Sequence, residues 1–181
     1  MTMSPRLRKL ALTAHVTASV GWLGAAAVAL VLAIAGLASK DAGTVRAAYL
    51  ALELIVWFVL VPLAFASLVT GLVQSLGSTW GLFRHYWVLA KLAINVLATT
   101  VLLLYLQTLS HLADVAAETT SASDLGELRS PSPALHAGGA LLLLLLATML
   151  AVYKPRGLTP YGWRKQDEQR AMAPRSRPRR I

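Results

Sequence analysis

Four long apolar segments, each flanked by charged residues, divide the chain. Segments one and four contain no Asp, Glu, Lys or Arg, segment two contains only Glu53, and segment three contains only Lys91. The segments are Leu10 to Ser39, Ala47 to Phe83, Tyr86 to Ser110, and Ala134 to Tyr153. A bilayer's hydrocarbon layer is about 30 Å thick and a helix rises about 1.5 Å per residue, so roughly 20 apolar residues cross it once. The pattern therefore predicts four transmembrane helices.

These helices predict a single all-α domain, a four-transmembrane-helix bundle over residues 1–153. The predicted spans cover about residues 10–38, 48–76, 86–110 and 134–153. The first apolar stretch is too long for a secretory signal, whose apolar core runs about 7 to 15 residues, so we expect an uncleaved span. Residues 154–181 are basic and punctuated by proline, and we predict a disordered tail there.

Two features of the spans bear on packing. Pro62 falls near the middle of span two, where its missing amide hydrogen and its ring are expected to kink the helix. Span one carries the small residues Gly21, Gly24 and Ala25, which permit close approach of another helix. Because that approach can occur within the bundle or between protomers, a homo-oligomer and a hetero-oligomer both stay open.

Composition agrees with a lipid-embedded core, since 56% of the residues are hydrophobic and 14% are charged. The chain has no cysteine, which excludes disulfides, thiolate metal sites, iron–sulfur clusters and thiol catalysis. It also contains no spacing typical of a Ser-His-Asp triad, a phosphate-binding loop or a His-Glu-x-x-His zinc helix. The sequence therefore predicts that this protein is not an enzyme.

The net charge of +9 is unevenly distributed along the chain. Basic residues concentrate in the N-terminal segment, the turn between spans two and three, and the tail. Because Lys and Arg accumulate on the cytoplasmic flanks of spans, this predicts a multi-pass membrane protein with both termini in the cytoplasm. A basic tail beside a span attracts anionic lipids. The tail's only aromatic residues are Tyr161 and Trp163, too few for stacking on bases, so we expect lipid partners and no nucleic acid.

Polar side chains within or beside the spans are costly to bury and are therefore candidates for ligand or lipid binding. The candidates are His15, Trp22, Gln74, Arg84, His85, Lys91 and Asn95. One interpretation is structural: Lys91 extends to the interface, the other polar groups hydrogen-bond between helices, and Trp22 packs into the bundle. The other interpretation is a site for an anionic lipid headgroup or small anion, held by Lys91, Arg84 and His85.

The four histidines raise the question of b-type haem, because imidazoles on facing helices are common axial ligands. His15 and His85 begin from one side of the predicted bundle, while His111 and His136 flank the loop on the other. The depths fit this poorly, since His15 is expected roughly 7 Å deeper than His85. Haem is the third-ranked hypothesis.

The loop after span three contains a possible metal-ligand set. His111, Asp114 and Glu118 share one face if the helix continues past span three, and His136 could approach from span four. Imidazole and carboxylate ligands suit a divalent ion. The same spacing arises easily by chance in an acidic loop, so an ordinary solvated surface is the favoured interpretation.

Three short motifs resemble those of known membrane proteins. The first is His15-x6-Trp22-x-Gly24, the second is Tyr86 to Lys91, and the third is the tail start from Tyr153 to Gly162. Together they resemble a widespread class of uncharacterised bacterial four-helix integral membrane proteins, over nearly the whole chain. The Trp-x-Gly and Tyr-x4-Lys elements are more distantly similar to the membrane domain of copper-resistance D-like proteins. The closer resemblance implies a four-helix fold in the bacterial plasma membrane, with no established activity.

The sequence leaves three functions open, and the first is favoured. The chain is a non-catalytic membrane component that acts through lipid or protein partners, or a small transporter or ligand-binding bundle built on His15 and Lys91, or a haem-bearing electron carrier.

Overall fold

The structure is a computed structural model that describes residues 3–77, 81–118 and 125–172. Within these ranges the chain is helical, apart from connecting turns and one isolated β-bridge. In chain order the elements are α1 (Pro5–Ala38), α2 (Ala42–Ile55), a π-helical turn (Val56–Leu60), α3 (Val61–Leu76), α4 (Tyr86–Glu118), a 3-10 turn (Glu127–Arg129), α5 (Ser132–Tyr153) and α6 (Pro160–Met172). The all-α fold class is confirmed.

Within the described ranges, four helices are long and apolar enough to cross a membrane, in agreement with the predicted spans. They are Pro5–Ala38, Ala42–Leu76, Tyr86–Glu118 and Glu127–Tyr153. The first begins before its predicted span because the Ser4 hydroxyl accepts a hydrogen bond from the Leu7 amide at 3.4 Å, with Pro5 in the first turn. The third continues past residue 110 to Glu118, so the loop that follows is shorter than predicted.

The second span is interrupted where Pro62 predicts a disturbance. Pro62 lies in the first turn of α3, and the π-helical turn directly precedes it. The Val61 amide donates to the Val56 carbonyl, five residues back, so the helix is wider here than a regular α-helix. A π-helical turn beside a proline is a recognised cause of helix distortion.

Helix α1 packs against α2, α3 and α5, while α4 packs against α2, α3 and α5. One side of α1 contributes buried small residues: Ala25, Ala26, Ala29, Ala33 and Gly36. A Cβ at Gly36 would lie 2.8 Å from a ring carbon of Tyr49, so glycine allows α2 to come this close. Within the described residues of α5, only Pro133 and Leu144 are buried, which agrees with a helix that faces lipid.

A loop at residues 125–131, the clamp loop, closes the bundle at one end. The Tyr49 hydroxyl donates to the Leu128 carbonyl at 2.5 Å. The Arg129 guanidinium donates to the carbonyls of Leu37 at 3.1 Å and Ser39 at 2.9 Å. These carbonyls belong to the C-terminal end of α1, where backbone acceptors lack helical partners and positive charge is favoured. The clamp loop therefore joins α1 and α2 to the start of α5.

The next helix begins with its own cap. The Asp41 carboxylate accepts from the Thr44 hydroxyl and the Thr44 amide, both at 2.7 Å. These hydrogen bonds hold the pKa of Asp41 below its ordinary value. Because of this cap, only three residues separate the end of α1 from the start of α2.

The opposite end of the bundle holds the turn between α3 and α4, and the tail packs on that turn. The Thr159 amide donates to the Arg84 carbonyl at 3.0 Å, and the Thr159 hydroxyl donates to the Phe83 carbonyl at 2.5 Å. His85 and Leu158 form the β-bridge, and the Tyr86 amide donates to the Gly157 carbonyl at 3.4 Å. We call residues 83–86 and 157–162 the tail clasp.

The prediction of a disordered tail is wrong for residues 160–172, which form α6. The Gly162 amide donates to the Thr159 hydroxyl at 3.1 Å, and Pro160 occupies the first helical position, two features that favour a helix start. The prediction used composition alone, whereas residues 160–172 are ordered by the backbone contacts of the tail clasp. The predicted tail beyond residue 172 lies outside the described residues.

Candidate functional site

A cavity of about 310 Å³ opens between α1, α3, α4 and the end of α5, at the end of the bundle that carries the tail clasp. We call it the basic cavity. The residues of interest that line it are His15, Gly71, Gln74, Lys91, Asn95 and Lys154. Four of the seven predicted ligand-binding candidates are therefore brought together. Their polar character within apolar spans identified them as candidates, but only the packing of three helices brings them to one cavity.

His15 is held against α3 by two features. Its Nδ1 lies 3.2 Å from the Thr70 hydroxyl oxygen, and the Thr70 hydroxyl itself donates to the Ala66 carbonyl at 2.5 Å. Because the Thr70 proton is used in that bond, the His15 Nδ1–H is the donor and Nε2 is the acceptor nitrogen. A Cβ at Gly71 would lie 3.0 Å from His15 Cε1, so glycine provides the space for the ring.

A chain of polar contacts continues from His15 deeper into the bundle. The hydroxyl oxygens of Ser19 and Ser67 are 2.9 Å apart, and the Asn95 side-chain amide donates to the Ser67 oxygen at 3.4 Å. Within α4, the Thr99 hydroxyl donates to the backbone carbonyl of Asn95 at 2.8 Å. These contacts join α1, α3 and α4, and they confirm the predicted interhelical hydrogen bonds. They also fix the orientation of Asn95 at the cavity wall.

The cavity has an excess of positive charge. Lys91 is half-buried in α4, and Lys154 follows the last residue of α5 in a left-handed conformation with φ of 43°. Both side chains line the cavity, and none of the described lining residues is acidic. Lys91 is half-buried and Lys154 is exposed, so two positive charges meet at this cavity without an acidic lining residue, an arrangement that favours binding of an anion.

Arg84 and His85, which the sequence predicts as partners of Lys91 in anion binding, are not among the described residues that line the basic cavity. Arg84 contributes its carbonyl to the tail clasp, and its guanidinium donates to the Gln169 side chain at 3.5 Å. His85 forms the β-bridge with Leu158, and its ring centroid is 6.3 Å from that of Trp87. Arg84 and His85 lie at the same end of the bundle as Lys91 because they are close to it in sequence. Their contacts, however, belong to the tail clasp.

Trp22 is also separate from the basic cavity. Its side chain is 2% exposed and belongs to the hydrophobic core, as predicted from its position in the middle of span one. Lys154 is the charged lining residue that the sequence did not predict, because the sequence assigns it to the basic tail. Its position directly after span four, at the same end as Lys91, is the feature that could have indicated it.

The predicted metal-ligand set does not assemble. Among the described residues, no three His, Asp or Glu side chains lie close enough together to hold a metal ion. His111 instead lies 2.9 Å from the Glu127 carboxylate, and His136 stacks on Tyr105. Both contacts form because α4 extends alongside the clamp loop and the start of α5.

The histidines considered for haem lie in different surroundings. His15 is bonded to Thr70 within the bundle, whereas His85 is part of the tail clasp. His111 pairs with Glu127 and His136 packs on Tyr105. Haem binding stays a prediction, without a geometric argument in its favour.

Comparisons with protein-family models, curated proteins and solved structures find no match for this chain. The resemblance to bacterial four-helix membrane proteins accordingly stays a prediction. The function has to follow from the chemistry of the basic cavity.

Proposed function

We propose that this protein is a non-catalytic membrane component that holds a phosphate-bearing anion in the basic cavity. The observation that carries the proposal is the convergence of Lys91 and Lys154 on one cavity that no described acidic side chain lines. Charge-assisted hydrogen bonds from ammonium groups to phosphate oxygens are about twice as strong as neutral ones. The anion offsets the cost of keeping Lys91 half-buried beside another cation.

The neutral groups around the lysines suit the same ligand. The side-chain amides of Gln74 and Asn95 supply further N–H donors at the cavity wall. The His15 ring forms part of the same wall, where Thr70 holds it in place. A headgroup bound here would keep its acyl chains between the apolar helices, which is why a lipid fits better than a free ion.

The location of the protein is part of the proposal. We place it in the bacterial plasma membrane, with both termini and the basic cavity on the cytoplasmic side. The basic residues of the N-terminal segment, of the α3–α4 turn and of α6 support this orientation. The exposed Arg164, Lys165 and Arg170 of α6 would then contact anionic lipid around the site.

Native mass spectrometry of the detergent-purified protein tests the proposal. With added phosphatidylglycerol, we expect one retained lipid, and a Lys91→Gln variant should retain it roughly tenfold less well, because a bond to a charged donor is lost. Lys91→Arg should preserve binding. The control is Lys40→Gln, which removes an exposed lysine from the α1–α2 turn at the other end of the bundle.

Two further ligands, phosphatidylcholine and inorganic phosphate, identify the source of the bound phosphate group. Phosphatidylcholine should bind more weakly than phosphatidylglycerol if charge governs binding. If inorganic phosphate displaces the lipid but is not itself retained by the protein, the site binds a lipid headgroup. If inorganic phosphate is retained without any lipid, the site binds a free anion. Equal lipid retention by the wild type and Lys91→Gln would overturn the proposal.

A further inference from the structure

A second cavity, of about 320 Å³, lies nearer the clamp loop and is separate from the basic cavity. We call it the apolar cavity. Its wall combines residues from α1, the π-helical turn, α4 and α5, including Trp22, Val56, Leu102, Tyr105, His136 and Gly139. The volume is at the lower end of the range for small-molecule sites, roughly 300–1,000 Å³. It is large enough for a ring but not for a whole membrane lipid.

Charge distinguishes the two cavities. No Lys, Arg, Asp or Glu is among the described residues that line the apolar cavity. A phosphate headgroup would lose its hydration there without gaining a cationic partner, which is costly in an apolar environment. The expected occupant is therefore uncharged, in contrast to the ligand of the basic cavity.

One end of the apolar cavity carries a fixed hydrogen-bonding group. The His136 Nδ1–H donates to the Ser132 carbonyl at 2.9 Å, and a carbonyl can only accept. Nε2 of a neutral His136 is therefore an acceptor, and no bond to it occurs in the part of the chain that the structure describes. The site favours a ligand that donates a hydroxyl proton to this nitrogen.

The same end offers a flat aromatic surface. The rings of Tyr105 and His136 are stacked with centroids 3.9 Å apart and an angle of 12° between their planes. The Tyr105 hydroxyl donates to the Ser132 oxygen at 2.9 Å, so both rings are fixed through one serine. A rigid aromatic wall next to a single acceptor suits a hydroxylated ring better than a flexible acyl chain.

The apolar cavity opens sideways between α4 and α5. The lining residues Leu97 and Leu135 are exposed, and so is Gly139, where a Cβ would meet no atom within 4 Å. In a membrane this opening faces the acyl chains of the surrounding lipid. A ligand could place its ring inside and leave a hydrocarbon tail in the bilayer.

We propose that the apolar cavity binds the ring of an isoprenoid quinol. One ring hydroxyl donates to His136 Nε2, the ring packs among the apolar side chains beside the Tyr105–His136 pair, and the isoprenoid tail leaves between α4 and α5. The proposal concerns binding only and does not depend on the function of the basic cavity.

The test uses the purified full chain and decylubiquinol, the reduced ubiquinone analogue with a ten-carbon tail, under argon. Native mass spectrometry should show one bound quinol on the wild type. Gly139→Leu should abolish binding, because Gly139 lines the cavity and a Cβ there would meet no atom within 4 Å, so a leucine side chain has room to fill the opening. His136→Phe keeps an aromatic ring but lacks the acceptor, so it should bind roughly tenfold more weakly.

Gly24→Leu is the matched control for the blocking variant. Gly24 is also an exposed helical glycine whose Cβ would meet no atom within 4 Å, but it does not line the apolar cavity. It should bind the quinol as the wild type does, and equal melting temperatures of the two leucine variants would exclude misfolding as the cause of lost binding. Unchanged binding by Gly139→Leu would overturn the proposal. Equal binding of the oxidised quinone or of dioleoylglycerol would also overturn it, since neither combines a ring with a hydroxyl donor.

Discussion

Gly71 determines how closely His15 approaches α3. In this helix an alanine would gain about 0.5–1 kcal/mol of intrinsic helix stability over glycine. At Gly71, however, the added Cβ would lie 3.0 Å from His15 Cε1 and 3.4 Å from Nδ1, and such overpacking costs about 1–3 kcal/mol. The steric cost is larger than the gain in helix propensity, so close packing explains the glycine.

We predict that Gly71→Ala lowers the free energy of unfolding by about 1 kcal/mol and weakens phosphatidylglycerol retention. The reason is that His15 moves away from Thr70 at the wall of the basic cavity. Denaturant titration in detergent and native mass spectrometry measure the two effects. Gly24→Ala is the control, because its Cβ meets open space and only the gain in helix propensity applies. A Gly71→Ala protein that is as stable as Gly24→Ala would show that the contact is not tight.

At the scale of the element, α6 shows how tertiary contacts can order a segment whose composition indicates disorder. Arg164, Lys165 and Asp167 are all exposed, so α6 buries little apolar surface of its own. Its start is nevertheless defined by Thr159, which bonds to Phe83 and Arg84 across a long stretch of sequence. The Lys165–Glu168 pair at 2.8 Å is exposed and adds little.

We predict that Gly162→Ala releases α6 from the bundle. A Cβ at this position would lie 2.4 Å from the Arg84 carbonyl oxygen, and a backbone atom cannot move aside as a flexible side chain can. A local loss of about 1.4 kcal/mol makes amide exchange in residues 160–172 tenfold faster. Hydrogen exchange followed by mass spectrometry measures this directly.

Gly157→Ala is the control within the same tail clasp, because its Cβ would lie at an ordinary 3.6 Å from the Tyr86 ring. Its exchange in α6 should match the wild type. If Gly162→Ala also leaves α6 protected, Arg84 and Gly162 do not hold the helix in place.

For the whole molecule, the orientation in the membrane decides which cavity faces which compartment. The absence of cysteine makes single-cysteine labelling direct. Lys40 and Asp167 are exposed and lie at opposite ends of the bundle. With both termini cytoplasmic, Lys40→Cys should react with a membrane-impermeant maleimide in intact cells, and Asp167→Cys only after permeabilisation. The reverse pattern would place the basic cavity outside.

The number of spans and their approximate bounds follow from local hydrophobicity, because a bilayer imposes the same minimum length on every crossing helix. His15, Gln74, Lys91 and Asn95 were selected because polar side chains are costly to bury in a membrane span, and these residues do line one cavity. Arg84 and His85, predicted as partners of Lys91, do not line that cavity in the described structure, because their backbone contacts are with the tail at the start of α4.

The sequence by itself determined that this chain is a bundle of four apolar helices with basic flanks, because segment length and hydrophobicity act locally and do not depend on helix arrangement. The tertiary structure alone decided which side chains share a cavity. In the folded chain, Lys154 and Lys91 line the same cavity, and His136 stacks on Tyr105. Arg84 and His85 belong to the tail clasp instead. Those outcomes depend on how helices far apart in sequence rotate and approach, which is fixed by contacts such as those of Gly71 and Gly162.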